Sequence, residues 1–316
     1  MNRTKVLITS AGGLVGTYLT KHLKAKGYVL VGTDMSSIIP KRDMLDGFYI
    51  TCASAAPEYP DVIAEIVKKE QIDVIIPVSS YDMNIFTDTA VLNKLGDAKL
   101  LVMDKEMHFT LHDKNSCGEF LASLGLCTPQ IMGENLTYPC IMKPDKSSGS
   151  KNVVVLKDEE DYRYWKKRAG TCTIYEYLEG DEFTVDCIFD KNGRCAGYNP
   201  RKRVKTNGGG AVVSTCVYEP RLDAVIAALE STGRVKGPVN FQYKEKDGKL
   251  CIFDFNTRLP SGGLPVSVKA GLDIPQLIID IAMDRDVPVW HHSEETAGLT
   301  MVRYYEESFF ADEDLH

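Results

Sequence analysis

A carboxylate, a carboxamide and a guanidinium recur at every second position of one short run: Asp254, Asn256 and Arg258. Strand side chains alternate between faces. A strand through 252–258 therefore presents all three together and turns Phe253 and Phe255 into a core. Mg²⁺ takes few protein oxygens and completes its shell with phosphate oxygens. Two oxygen donors beside a fixed cation therefore suit a metal–nucleotide complex, and a merely polar strand face is the plain alternative. The run 239–243 also alternates, and 246–248 reads as the loop of a hairpin joining the two. Loop length sets register. A two-residue turn at Asp247-Gly248 would put Gln242 opposite Phe253, on the wrong face. A three-residue loop with Gly248 left-handed puts Asn240 opposite Asp254, with Gln242 a diagonal away. The second register is expected, and it gathers four oxygen-bearing side chains on one surface.

Other groups along the chain suit the same ligand. Lys143 ends an apolar strand at 140–144, and lysine is a compact point charge fit for phosphate. The loop 145–150 follows; its hydroxyls, its free backbone N–H groups and Gly149 would let it fold over a nucleotide as a lid, where a plain β-turn is the alternative. In 174–186 a strand-edge backbone can read an adenine ring, and a carboxylate beyond the Gly180 turn can take ribose hydroxyls; a solvated hairpin has the same composition. Arg201, Lys202, Arg203 and Lys205 crowd one strand of an acidic chain, which invites an anionic ligand. For Lys202 and Lys205 a charge-guarded edge strand is preferred. The segment 10–16 (Ser-Ala-Gly-Gly-Leu-Val-Gly) follows a strand and opens a helix, close to a dinucleotide fingerprint, with Asp34 placed for a ribose. It serves equally as a scaffold whose glycines pack helix on strand, and no Tyr-x-x-x-Lys pair follows on a helix.

The elements that must position these groups change character along the chain. Strands at 5–9, 29–33, 74–78 and 99–102 alternate with helices at 12–26 and 62–69, the pattern of a parallel sheet with crossovers. From about 104 the strands pair as hairpins with helices between them, the pattern of antiparallel sheets. The 316 residues suffice for two or three domains. With 44% hydrophobic and 26% charged residues the chain has an ordinary globular composition. A net charge of −7 speaks against a nucleic-acid or anionic-membrane surface. Nine scattered cysteines without a C-x-x-C pair point to a reducing compartment, not to disulfides or structural zinc. Cys140, Cys187 and Cys251 read as small core residues. With neither a signal peptide nor an apolar run of bilayer length, a cytoplasmic location is expected. His291 and His292 read as surface residues, and the stretch after Trp290 shows no legible chemistry.

Taken in order, these pieces resemble the ATP-grasp superfamily, and most of all the ATP-binding modules of the carbamoyl-phosphate synthase large subunit and related ligases. The resemblance spans roughly 1–290. It rests on Asp113-Lys114, Lys143-Pro144 with the Ser/Gly loop, Glu176-Tyr177-Leu178 through Glu182, Arg201 and Arg203, Gln242, and 254–258. It implies a Rossmann-like, parallel-sheet pre-ATP-grasp domain at 1–103. A small lid subdomain at 104–175 and a large subdomain at 176–316 would then form a two-part fold with antiparallel sheets, α/β and α+β in class. It also implies roles. Lys114 and Lys143, with Ser148 and Gly149 of the lid loop, would hold ATP phosphates. Glu176, Tyr177 and Leu178 would bracket adenine, and Glu182 would bind ribose. Gln242, Asp254 and Asn256 would hold Mg²⁺, or Mn²⁺ in its place. Arg258 and Arg203 would stabilise the phosphoryl group and an acyl phosphate. Two positions depart from the usual pattern: Asp254 stands for a glutamate, and Thr257 for the proline of Asn-Pro-Arg. The implied activity is ATP-dependent ligation of a small carboxylate to an amine or similar nucleophile, by an enzyme that could form a homodimer. The alternatives are an NAD(P)-dependent reductase, a kinase-like relative that stops at phosphoryl transfer, and a nucleotide-binding protein without catalysis.

Overall fold

The computed structural model describes residues 3–144, 153–208 and 210–311. Short apolar strands open the chain: β1 (Lys5–Ile8), β2 (Val29–Asp34), β3 (Gly47–Ile50) and β4 (Val74–Ile76). They form a parallel sheet in the order β3-β2-β1-β4. Helices α1 (Leu14–Ala25) and α2 (Tyr59–Glu70) cross over between strands, and the shorter α3 (Ser80–Phe86) and α4 (Thr89–Leu92) follow. The strand expected at 99–102 is reduced to a single bridge between Lys99 and Val74.

The pattern change near residue 104 is the start of α5 (Lys105–His112) and α6 (Lys114–Ser123), each capped by an aspartate, Asp104 and Asp113. A small antiparallel sheet comes next, ordered β6-β5-β7, from β5 (Cys140–Pro144), β6 (Val154–Leu156) and β7 (Cys172–Glu176), with α7 (Glu159–Lys166) between the last two. The remaining strands are β8 (Phe183–Phe189), β9 (Cys195–Asn207), β10 (Gly210–Cys216), β11 (Gly237–Lys246), β12 (Lys249–Asn256) and β13 (Thr300–Val302). They build a six-stranded antiparallel sheet, β12-β11-β8-β9-β10-β13. β9 is therefore interior, so Lys202 and Lys205 do not guard an edge; Lys202 instead pairs with Asp181 at 2.5 Å. Helices α8 (Leu222–Glu230), α9 (Leu264–Lys269) and α10 (Ile274–Ala282) complete the fold.

Period-2 patterning divides the large sheet into two faces. Val239, Phe241, Tyr243, Ile252 and Phe255 pack with Leu111, Leu121, Val225 and Leu229 of α5, α6 and α8. On the other face, α10 is buried along nearly its whole length and joins Ile188, Leu259 and Leu264 to Val6, Ile8 and Leu30 of the parallel sheet in one continuous core. Polar contacts reinforce this seam: Asp273, which caps α10, accepts from His22 Nε2 at 2.9 Å and pairs with Lys26 at 2.9 Å.

The β11–β12 hairpin forms the expected surface by a different route. Its turn has two residues, Asp247 and Gly248, between the paired Lys246 and Lys249, and both have positive φ, 50° and 75°. That is the backbone a tight hairpin turn requires. Left uncorrected, this turn would turn the donors to the wrong face. A β-bulge corrects it: Tyr243 pairs with Ile252 but Gln242 pairs with Asp254, so Phe253 is the extra residue. Asn240 consequently faces Asn256, not Asp254. Phe255 is buried as expected, but Phe253 leaves the core for the opposite side.

The glycine-rich segment behaves as a scaffold. Gly12 N donates to Asp34 Oδ2 at 2.9 Å, so the carboxylate expected to take a ribose caps the loop instead. A Cβ on Gly16 would lie 2.5 Å from the Ala11 carbonyl oxygen; this glycine is what lets α1 pack on the loop. All nine cysteines are free, and Cys140, Cys187 and Cys251 are fully buried. His291 is exposed, but His292 is buried between the rings of Tyr198 and Tyr218. Among the described residues no helix is long and apolar enough to cross a membrane.

Candidate active site

A cavity of ≈ 670 Å³ opens between the small and large sheets, lined also by α6 and by Leu14 and Ser80 of the N-terminal domain. Lys114, Lys143, Glu176, Tyr177, Leu178, Glu182, Arg203, Gln242, Asp254, Asn256 and Arg258 all line it. Ser148 and Gly149 lie outside the described residues. Groups separated by more than a hundred residues of chain thus meet in one cleft.

Lys143 comes from the centre of the small sheet, β5, and reaches across. Its Nζ donates to the Phe253 carbonyl at 3.2 Å and sits over the Tyr175 and Phe253 rings, about 5 Å from each centroid. The bulge supplies both the carbonyl and one ring. Burial pushes the Lys143 ammonium down, and Asp254 partly restores it. Lys114 is the first residue of α6, behind its cap Asp113.

β7 leaves the small sheet at Glu176, whose carboxylate is already engaged by Gln130 N at 2.9 Å and Lys246 Nζ at 2.5 Å. What Glu176-Tyr177-Leu178 offers a flat ring is therefore backbone and apolar surface. Lys244 bonds the Leu178 carbonyl at 2.9 Å and lies over the Tyr177 ring, fixing that crossing. Beyond the turn, Glu182 pairs with Arg203 at 2.7 Å. With its carboxamide turned to suit both neighbours, Gln242 bridges the two: its nitrogen then donates to Glu182 at 3.1 Å and its oxygen accepts from Arg203 Nη1 at 3.0 Å. Burial lowers the Arg203 pKa and Glu182 raises it; a guanidinium stays charged regardless.

Neighbouring Arg201 is a different case. It is 1% exposed and bonds Asp186 through two nitrogens at 2.9 Å each, with Ser214 at 3.2 Å. Ser267 adds a bond to Asp186 at 2.6 Å. This buried, satisfied pair braces the floor of the cleft.

On β12, Asn256 Nδ2 donates to Asp254 Oδ2 at 2.9 Å and approaches Asn240 Oδ1 at 3.3 Å. Asp254, Asn256 and Asn240 therefore form one oxygen-rich patch. Arg258 lies at its end, where burial lowers the guanidinium pKa and Asp254 raises it. Among the described residues no group of three His, Cys, Asp or Glu side chains forms a self-sufficient metal site. One carboxylate beside carboxamides fits a hard cation that draws most of its ligands from phosphates.

Two cavity residues carried no signal in the sequence. Arg303 follows β13, in the stretch where no chemistry was legible. Its Nη2 donates to the Ser261 carbonyl at 2.9 Å and its buried Nε has no partner. Ser80 begins α3 in the other domain, with no motif around it. Only the packing of distant segments brings either one to the cleft.

Comparison with known proteins bears on the fold and its domains. Residues 169–307 match a family described as ATP-grasp in the biosynthetic pathway with Ter operon. Residues 6–93 match the PylC-like N-terminal domain. The chain is 24% identical over 327 residues to the N-terminal section of the carbamoyl phosphate synthase large chain of Aquifex aeolicus, covering 88% of this chain and 58% of that one. The chain thus spans little more than half the length of that relative. Its fold superposes with TM-score 0.73 on Campylobacter jejuni biotin carboxylase in complex with βγ-ATP, at 17% identity, covering 94% of this chain and 74% of that one. The ADP complex of N5-carboxyaminoimidazole ribonucleotide synthetase gives 0.72 at 19% identity, covering 95% and 81%. The chain thus carries a match to a PylC-like N-terminal domain ahead of a match to an ATP-grasp domain, on a fold shared with these ATP-grasp structures.

Proposed function

We propose that this protein is an ATP- and Mg²⁺-dependent ligase. It phosphorylates a small carboxylate and couples the resulting acyl phosphate to an amine or a similar nucleophile. The observation that carries the reading is the convergence of Lys114, Lys143, Glu182, Asp254, Asn256, Arg203 and Arg258 on one cleft between two sheets. Relatives and neighbours support it, since they include a carbamoyl phosphate synthase chain and nucleotide-bound synthetase and carboxylase structures.

In this reading adenine lies against Tyr177 and Leu178, Glu182 takes the ribose, and Lys114 and Lys143 neutralise phosphate charge. Asp254 and Asn256 would hold Mg²⁺, and Gln242 would join them through the second lone pair of its amide oxygen. Bound there, the ion would neutralise charge on the phosphates. A substrate carboxylate oxygen attacks the γ-phosphorus in line, the bond to the β–γ bridging oxygen breaks, and ADP leaves. The amine nitrogen then attacks the acyl carbon, phosphate departs, and the amine proton passes to solvent or phosphate. Such chemistry needs alignment and charge neutralisation, with little covalent help from the protein. Arg258 and Arg203 supply fixed positive charge for the transferring group. The NAD(P) alternative is disfavoured by Asp34, which occupies the Gly12 amide.

The test is ADP release with Mg·ATP against a panel of small carboxylates, with and without amines. With the carboxylate so found, Lys143→Ala and Asp254→Ala should each lower turnover by about a thousandfold or more while the protein stays folded. An Asp254→Ala variant that forms ADP at the wild-type rate would overturn the metal assignment.

A further inference from the structure

Helix α3 of the N-terminal domain reaches the strand end that carries Asp254, Asn256 and Arg258 by one direct polar contact and one relayed through His108 of α5. Ser80 Oγ accepts from Arg258 Nε at 2.8 Å. One turn further along, Asn84 Oδ1 lies 2.7 Å from His108 Nε2, and His108 Nδ1 lies 2.8 Å from Thr257 Oγ1. The amide oxygen can only accept, so Nε2–H donates to it and Nδ1 is left to accept from the Thr257 hydroxyl. His108 is fully buried, and burial, with His112 beside it, pushes its pKa down to about 4 and keeps the ring neutral. This two-bond chain fixes Thr257, the residue between Asn256 and Arg258.

The helix making these contacts is itself held firmly. Ser79 and Asp82 form a reciprocal cap at its start. Asp82, fully buried, also accepts from Thr9 and Ser10 at 2.8 Å each, Ser54 at 2.6 Å and Tyr59 at 3.0 Å. Burial alone would push this carboxyl up, yet its hydrogen bonds outweigh burial and hold it below the ordinary range. The donors come from the end of β1, the loop after β3 and α2, so α3 is tied to the parallel sheet. Arg258 needs such support. A free arginine side chain carries about 2 kcal/mol of rotamer entropy, and besides the bond to Ser80 the only other hydrogen bond of the Arg258 guanidinium among the described residues is Nη1 to the Leu259 carbonyl at 3.2 Å.

We infer that Ser80 and the Asn84–His108–Thr257 chain are positioning groups for phosphoryl transfer, through which the N-terminal domain aims Arg258 at the γ-phosphate. This rests on the ligase reading above, which gives Arg258 a phosphoryl group to meet. The parallel-sheet domain then serves the reaction without binding a dinucleotide.

The test compares Mg·ADP binding with and without fluoroaluminate, a stand-in for the transferring phosphoryl group, on the full chain. Transition-state mimics report groups that act only during transfer. The wild type should bind Mg·ADP and tighten about tenfold or more with fluoroaluminate. Ser80→Ala and Thr257→Val should keep their Mg·ADP affinity within about twofold yet lose about tenfold of that tightening, and Ser80→Thr and Thr257→Ser should restore most of it. Thermal melts check each fold; if Ser80→Ala fails to fold, the Thr257 pair carries the comparison. Full tightening in both Ser80→Ala and Thr257→Val overturns the inference and leaves the ligase reading intact. So does a wild type that binds Mg·ADP without tightening, or a variant that loses Mg·ADP binding itself. A wild type that does not bind Mg·ADP overturns both.

Discussion

Arg303 reaches the cleft beside Arg201, and the two bear opposite relations to their surroundings. Arg201 is fully paired with Asp186, so it is committed to structure. Arg303 has a partnerless buried Nε, and burial followed by repulsion from Arg201 lowers its pKa. A cation left under-satisfied at a cavity wall favours an anion. Under the proposed function that anion is the substrate carboxylate. Arg303→Gln should then raise the KM for the carboxylate by about tenfold or more, the worth of a charge-assisted hydrogen bond. Mg·ATP affinity should stay as it is. Steady-state kinetics with each substrate varied in turn separates the two effects. At this scale the sequence was legible where spacing brings side chains to one cavity, as along 254–258. It was silent for Arg303 and Ser80, because a single side chain in an unpatterned stretch says nothing of what lies across from it.

The β11–β12 hairpin shows how an element can reach an expected outcome by an unexpected geometry. A two-residue turn and a bulge together do what a three-residue loop was expected to do, and the bulge also hands Lys143 the Phe253 carbonyl. Bulges leave little trace in period-2 patterning, since they shift one residue without changing composition. The turn carried its own signal, since Asp-Gly favours positive φ at both central positions, yet without a bulge it turns Gln242 to the wrong face, which is why a three-residue loop was expected in its place. No atom lies within 4 Å of a Cβ built on Gly248, so substitution there tests backbone strain alone. Gly248→Val should lower stability by about 1–2 kcal/mol, and Gly248→Asn by clearly less, since asparagine tolerates the left-handed region. Urea unfolding of the two variants provides the measurement.

For the molecule as a whole, the seam between α1 and α10 joins the parallel sheet to the large sheet. Asp273 sits at its centre. Burial would push its carboxyl up, but His22 and Lys26 pull it down to about 2. A carboxylate whose folded pKa lies below its unfolded value stabilises the fold at pH values above the unfolded pKa near 4. That contribution fades as the pH falls toward 2. The shift corresponds to roughly 2 kcal/mol at most, since the group keeps some exposure. Asp273→Asn should therefore be less stable than wild type by about 1–2 kcal/mol at pH 7, with the gap closing between pH 4 and pH 2. Chemical denaturation at a series of pH values would show whether it does. The C-terminal segment adds a second tie across the molecule: Glu306 pairs with Lys21 at 2.6 Å and with Lys41 at 3.0 Å.

Local order alone determined a good deal. Alternating periodicity put Asp254 with Asn256 on one face of β12, and Asn240 with Gln242 on one face of β11, because strand side chains repeat every two residues away from a bulge. The succession of apolar runs and helical spacings fixed a parallel sheet followed by antiparallel ones. The glycines of 10–16 could not be assigned from their spacing, because a tight turn and a phosphate cradle require the same backbone freedom. The folded chain sets Asp34 against the Gly12 amide, which favours the scaffold. It also decided that α3 of the first domain meets Arg258 of the last, and reaches Thr257 through His108. Contacts of that kind depend on where whole elements dock, and docking is set by the summed burial of α10 and its neighbours, which no short window of sequence contains.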